Sequence, residues 1–192
     1  MPRLNVIVAS TRPGRVGAQV ADWFVPIARD HAGFDVHPVD LAALDLPFLD
    51  EPFPAVEGHP YLHEHTQIWS DITAAADAYV FVMPEYNQGY TAPLKNALDY
   101  LDYEWHDKAV GFVSYGMTSG GLRAVQTIKP VVSAMKMMPI AEAVVIHLRQ
   151  VLDAGGRLTP TPAMRHAAVE MLDELSRVTT AFQELRRTIR TR

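Results

Sequence analysis

The chain has 192 residues, 48% of them apolar, and carries 17 basic against 22 acidic side chains for a net charge of -5. That is enough chain for one α/β domain with a full hydrophobic core, and too little positive charge to hold a phosphate backbone, so nucleic acid is not expected as a partner. Cysteine is absent, which excludes disulfide scaffolds, thiolate metal sites and dithiol redox chemistry together; any redox work needs a bound cofactor.

The N-terminus leads from Met1-Pro2-Arg3 straight into a strand-like apolar run, Leu4 to Ala9, without a leader-type charged region. No run of about 18 apolar residues follows anywhere, so a soluble, cytoplasmic chain with no membrane partner is expected. A polar, glycine-containing loop, Ser10-Thr11-Arg12-Pro13-Gly14-Arg15-Val16-Gly17, opens a helical pattern over Gly17 to His31. Hydroxyls, glycines, a helix start and two guanidinium groups suit a phosphate monoester, although an ordinary capped turn has much the same composition. The loop matches neither the nucleoside triphosphate loop nor the dinucleotide fingerprint.

The second strand is expected over Asp35 to Val39, followed by a long turn-rich loop, Leu46 to Pro60, and a helix over Glu64 to Ala76. His59, His63 and His65 lie before and at the start of that helix. Residues two apart point to different sides of a helix, so these histidines are read as part of a solvent-facing loop and no metal site is expected. The third strand, Ala78 to Met83, runs into Pro84-Glu85-Tyr86-Asn87-Gln88-Gly89-Tyr90-Thr91 and a helix over Ala92 to Leu101, with Thr91 as its cap and Pro93 in its first turn. Exposed backbone groups beside Tyr86 and Asn87 suit the edge and face of a flat heteroaromatic ring.

The fourth strand, Ala109 to Tyr115, ends in Ser114-Tyr115-Gly116-Met117-Thr118-Ser119-Gly120-Gly121, a flexible turn through which the backbone approaches a ligand, and a helix over Gly121 to Lys136 follows. The fifth strand spans Ile140 to His147, and after a loop from Asp153 to Pro162 a last helix covers Ala163 to Ile189. Its stripe of Ala168, Met171, Leu172, Leu175, Val178, Phe182, Leu185 and Ile189 repeats at helical spacing. Strand and helix in alternation predict a parallel sheet with helices on both faces, in which ligands sit beyond the carboxyl ends of the first, third and fourth strands. Tyr100, Tyr103 and Trp105 concentrate at one helix end, a composition expected of a subunit interface.

Taken together, these segments resemble the NADPH-dependent FMN reductase family of flavodoxin-like quinone, azo-dye and chromate reductases. Its P-E-Y-N followed by P-x-x-L-K-N-A-hydrophobic-D stands here as Pro84 to Asn87 and Pro93 to Asp99. Its G-S-x-R loop is matched by Ser10 and Arg12, and its S-Y-G-G turn and G-x-R-A by Ser114, Tyr115, Gly116, Gly121, Arg123 and Ala124. Ala9 and Met117 stand where the family usually has glycine. The resemblance implies a single flavodoxin-like FMN-binding domain over residues 1–192, a five-stranded three-layer sandwich. Ser10, Arg12, Arg15, Val16 and Gly17 would hold the FMN phosphate; Pro84, Glu85, Tyr86 and Asn87 would border the ring, and Ser114, Tyr115 and Gly116 its other edge.

The implied function is hydride transfer from NADPH or NADH to FMN, then electron delivery to a small acceptor such as a quinone, azo compound, metal oxyanion or free flavin. The chemistry is centred on the flavin and no catalytic acid/base dyad is expected. A homodimer or homotetramer is implied as well. A flavodoxin-like electron carrier without nicotinamide oxidation is the alternative, disfavoured by the modest acidity, and a flavin-free interaction module is a third reading.

Overall fold

The computed structural model describes the backbone of residues 1–190 and the side chains of residues 1–188, so the side chain of Ile189 in the predicted stripe lies outside the described residues. Five strands, β1 (Arg3–Val8), β2 (Asp35–Asp40), β3 (Ala78–Pro84), β4 (Ala109–Gly116) and β5 (Met138–His147), form one parallel sheet in the order β2-β1-β3-β4-β5. β3 and β4 are buried along their whole length, and their sequences are accordingly apolar without alternation, as strands covered on both faces must be. The helices are α1 (Gly17–Asp30), α2 (Leu41–Leu44), α3 (Glu64–Ala74), α4 (Ala92–Asp99), α5 (Leu122–Ala134), α6 (Leu148–Val151) and α7 (Pro162–Arg190).

Alternate residues of the central strands feed two cores. Val80 and Val82 join Val20 and Phe24 of α1 and Met171, Leu172 and Leu175 of α7. Tyr79, Phe81 and Met83 point the other way, to Trp69, Leu98 and Ile128 of α3, α4 and α5. The chain steps outward from β1 to β2 and then returns to β3 on the other side of β1. This reversal opens a crevice between the loops that follow β1 and β3, the place where open α/β sheets receive ligands.

The five strands and five long helices match the expected order; the differences are local. β5 starts two residues early, at Met138, and the register slips between Val110 and Phe112: Val110 faces Pro139, but Phe112 faces Ala143. This bulge lies beside Gly111, where a Cβ would come 3.3 Å from Met171 Sδ. The short helices α2 and α6 fall in segments too brief to show a period. In α7 the stripe is buried as far as Leu175, but Leu185 is 44% exposed, because the helix outruns the sheet; Arg186 ties that end to Asp77 and to the carbonyl of Asp107.

The aromatic helix end also departs from expectation. Tyr100 and Trp105 are 1% and 0% exposed inside the protomer's own core, with Trp105 Nε1 donating to the carbonyl of Leu98 at 3.2 Å. Tyr100 and Trp105 therefore belong to the protomer's core, and of the three only Tyr103 faces solvent. The histidine segment is likewise more structured than a loop: His63 caps α3 and His65 lies in its first turn. Their rings stack with centroids 5.2 Å apart, and His65 Nε2 lies 2.9 Å from Asp50 Oδ1. Among the described residues, no group of three metal-ligating side chains comes together, and no helix is long and apolar enough to cross a membrane.

Candidate functional site

Three loops meet at the carboxyl edge of the sheet. The first, residues 9–17, leaves β1 with the N–H of Ala9 still donating to the carbonyl of Val82 at 2.9 Å. It then turns into α1 at Gly17. Val16, the cap residue, offers no side-chain hydrogen bond, and the first turn contains no acidic side chain. The positive end of a 14-residue helix therefore stands open, the arrangement that receives an anion. Gly17 is required by sterics: a Cβ there would come 2.6 Å from Tyr115 Oη and closer still to Ser10 Oγ.

The loop's polar side chains divide into two groups. Arg12, Thr11 and Gly14 are exposed, so Arg12 presents its guanidinium at the loop's outer surface. Arg15 is turned back, donating to the carbonyl of Ser10 at 2.9 Å and pairing with Asp40 at the end of β2. Asp40 also accepts from the N–H of Ala42 at 3.0 Å, capping α2. Ser10 is 1% exposed, and its hydroxyl accepts from Tyr115 Oη at 3.0 Å. In this structure Arg15 and Ser10 thus shape the loop from behind, Arg12 stands on its outer side, and the half-buried Val16 and buried Gly17 carry the backbone into α1. Thr11 also borders a cleft of about 350 Å3 whose other walls are α2, Phe48 and the start of α4.

The second loop follows β3. Pro84 still pairs with Tyr115, and the N–H of Glu85 donates to the carbonyl of Tyr115 at 2.9 Å. Tyr86 and Gly89 then exchange backbone hydrogen bonds across a two-residue turn in which Asn87 and Gln88 both have positive φ, 49° and 70°. That is the mirror-image hairpin turn, which asparagine tolerates and glutamine does not favour. It leaves the Tyr86 ring 43% exposed. Thr91 closes the loop by capping α4 and by donating to the carbonyl of Ala9 at 2.7 Å, which fixes α4 against the first loop.

The third loop follows β4. Ser114 Oγ donates to the carbonyl of Gly120 at 3.0 Å. Gly121 caps α5 with φ 93°, where a Cβ would come 2.6 Å from Ser114 Cβ and from the Tyr115 N atom; a side chain is excluded on both counts. Met117 and Leu122 are exposed beside this turn, as Tyr86 is beside its neighbour, and they give the two loops an apolar rim. Tyr115 departs from expectation in one respect. Its side chain is 3% exposed and points inward toward Ser10, so only its backbone borders the edge; burial raises its phenol pKa to about 12.

The structure therefore brings all twelve expected residues into the region of these three loops, but gives several of them supporting roles. It also adds Asp40, Thr91 and Ser119, whose parts depend on partners distant in sequence; Ser119 donates its hydroxyl to the Glu85 carboxylate. Thr91 left a signal, the Thr-x-Pro start of α4; Asp40 and Ser119 left none that a single sequence displays.

Residues 2–153 match the family described as NADPH-dependent FMN reductase. An NAD(P)H-dependent FMN reductase of Schizosaccharomyces pombe is 42% identical over 137 residues, covering 71% of this chain and 68% of the relative. A probable NADPH:quinone oxidoreductase of Oryza sativa is 34% identical over 139 residues, covering 67% and 63%. Among solved structures, the flavoenzyme NAD(P)H:acceptor oxidoreductase FerB of Paracoccus denitrificans superposes with a TM-score of 0.72 at 19% identity over 95% of this chain and 99% of its own; at that identity the likeness is one of fold. The open helix end, the glycine-lined turns and the sequence match agree: the chain belongs to the NADPH-dependent FMN reductase family, oxidoreductases that use a nicotinamide donor and FMN.

Proposed function

We propose that this chain binds FMN across the three loops and uses it to pass electrons from NAD(P)H to a small acceptor of the quinone type. The observation that carries this reading is the uncapped, acid-free start of α1 beside the exposed Arg12. It offers a phosphate both N–H donors and a charge on the same sheet edge as the two apolar-rimmed loops. Bound flavin supplies the hydride-accepting chemistry.

The protein's part is to bind and orient. Arg12 and the N–H groups around Val16 and Gly17 receive the phosphate, Arg15 and Ser10 hold the loop in shape, and Pro84 to Asn87 with Tyr115 and Gly116 border the ring. Tyr86 and Met117 are exposed on neighbouring loops, and the one apolar rim they form serves a planar donor and a planar acceptor in turn. Azo compounds, metal oxyanions and free flavin are further acceptors at the same rim. The exposed apolar side chains of Phe48, Leu49, Phe53, Val56 and Leu62 favour a homo-oligomer covering the loop after α2.

Initial rates of NAD(P)H oxidation measured over a grid of donor and quinone concentrations test the shared rim. Parallel double-reciprocal lines are expected; intersecting lines refute alternate occupancy of one rim. A protein that takes up FMN but leaves NADPH unconsumed under air is a carrier.

A further inference from the structure

Glu85 belongs to the loop after β3, yet its carboxylate faces the third loop. The side chain is 10% exposed. Its Oε2 accepts from the N–H of Arg123 at 3.1 Å and from the hydroxyl of Ser119 through a short hydrogen bond, and the Arg123 guanidinium lies 3.7 Å from Oε1. The helix that begins there is capped by Gly121, which has no side chain to offer. One N–H at the positive start of α5, that of Arg123, is therefore satisfied by a carboxylate from the loop after β3, 38 residues away in sequence. The backbone of Glu85 adds its bond to the carbonyl of Tyr115, and its Cβ packs 3.5 Å from where a Gly116 side chain would stand.

We propose that Glu85 is a positioning residue that clips the start of α5 and the 117–121 turn onto the end of β3, so that the two loops bordering the flavin ring move as one unit. This rests on the flavin reading above. The glycine end of the turn is packed against Ser114 and Val145 and held by the Ser114 bond to Gly120, but Met117 and Thr118 ahead of it are exposed, and the Glu85 bond to Ser119 is the one that reaches that side of the turn from another loop. Without the clip, the turn must be re-ordered each time a ring binds, and that ordering cost is taken from affinity. The defect belongs to the ring end of the site, because the phosphate loop has its own supports in Arg15, Asp40, Ser10 and Tyr115.

The test compares Glu85→Ala, Glu85→Gln and wild type by three measurements: affinity for FMN and for riboflavin, amide hydrogen exchange of the apoprotein, and thermal melting. Loss of charge-assisted bonds of this kind corresponds to about a tenfold change in affinity. Glu85→Ala should weaken FMN and riboflavin by the same factor and speed exchange at Arg123 and through residues 117–123, with little change elsewhere. Glu85→Gln keeps an acceptor for Ser119 and Arg123 but not the charge, and should fall between alanine and wild type in both. Unchanged exchange at Arg123 in the alanine variant overturns the clip, as does a loss confined to FMN, which would place the effect at the phosphate. If the alanine variant does not fold, Ser119→Ala removes one arm alone and must show the same local exchange. A wild-type protein that binds neither flavin would refute the flavin reading, while the exchange data still decide the clip.

Discussion

Replacing Arg12 and Arg15 separately by alanine distinguishes a residue that meets the phosphate from one that shapes the loop. Arg12 is exposed, and the only hydrogen bond of its side chain among the described residues is a long one of 3.5 Å to the carbonyl of Pro13, so its removal takes little from the folded apoprotein. Surface changes of this kind stay within about 0.5 kcal/mol, a shift in Tm below roughly 2 °C at this size. A charge-assisted bond to a phosphate contributes about 1.5 to 3 kcal/mol, so FMN affinity should fall about ten- to a hundredfold. Arg15 differs: its side chain is 17% exposed and bridges the Ser10 carbonyl and Asp40, itself 36% exposed. Discounting that pair for solvent leaves about 1 to 2 kcal/mol, which lowers the apoprotein Tm by roughly 2 to 8 °C and weakens FMN as a consequence. Riboflavin, which has no phosphate, should bind the Arg12 variant as it binds wild type. Flavin fluorescence titration and melting of the apoproteins measure both quantities. An Arg12 variant with unchanged FMN affinity, or an Arg15 variant with an unchanged Tm, refutes the division of labour.

Gly17→Ala forces its methyl group onto Tyr115 Oη and Ser10 Oγ; the loop must shift, and FMN binding should drop at least as far as in Arg12→Ala, whereas an unaffected affinity would show that the loop repacks freely. Gln88→Gly should stabilise the protein: a non-glycine residue in the left-handed region costs roughly 1 to 2 kcal/mol and the extra freedom of glycine returns roughly 0.5 to 1, so Tm should rise by up to about 6 °C, and a fall would count against strain at this turn. The segment from Asp50 to His65 should loosen in acid. The carboxyl pKa of Glu51 is lowered, against the desolvation that opposes it, by the N–H groups of Leu62 and His63, and that of Asp50 likewise by His65 and Tyr100. Groups depressed in the folded state contribute stability above their ordinary carboxylate pKa and lose it as pH falls below that range. Limited proteolysis between Asp50 and His65 should therefore accelerate below about pH 4, and a rate that is flat with pH would remove these carboxylates as the anchors.

The succession of strands along the chain and the parallel sheet are legible in the sequence, as is the carboxyl edge at which the site is proposed. Apolar runs such as Tyr79 to Met83 and the helical repeat through Leu175 are local periodicities, and Pro84 to Asn87 and Pro93 to Asp99 are contiguous motifs. What the sequence did not determine is where side chains point once strands are aligned. Tyr115 and Glu85 both stand at the carboxyl edge, but the pleat sends the Tyr115 ring under the loop after β1, and the helix start at α5 draws the Glu85 carboxylate sideways. Arg15 resembles Arg12 in sequence and differs only because Asp40 ends the neighbouring strand. Tyr100 and Trp105 read as surface aromatics until α3 and β3 close over them. In each case the deciding partner lies 25 or more residues away or on another element, and burial, hydrogen bonding and charge are satisfied in three dimensions after the local pattern has already been spent on forming the elements.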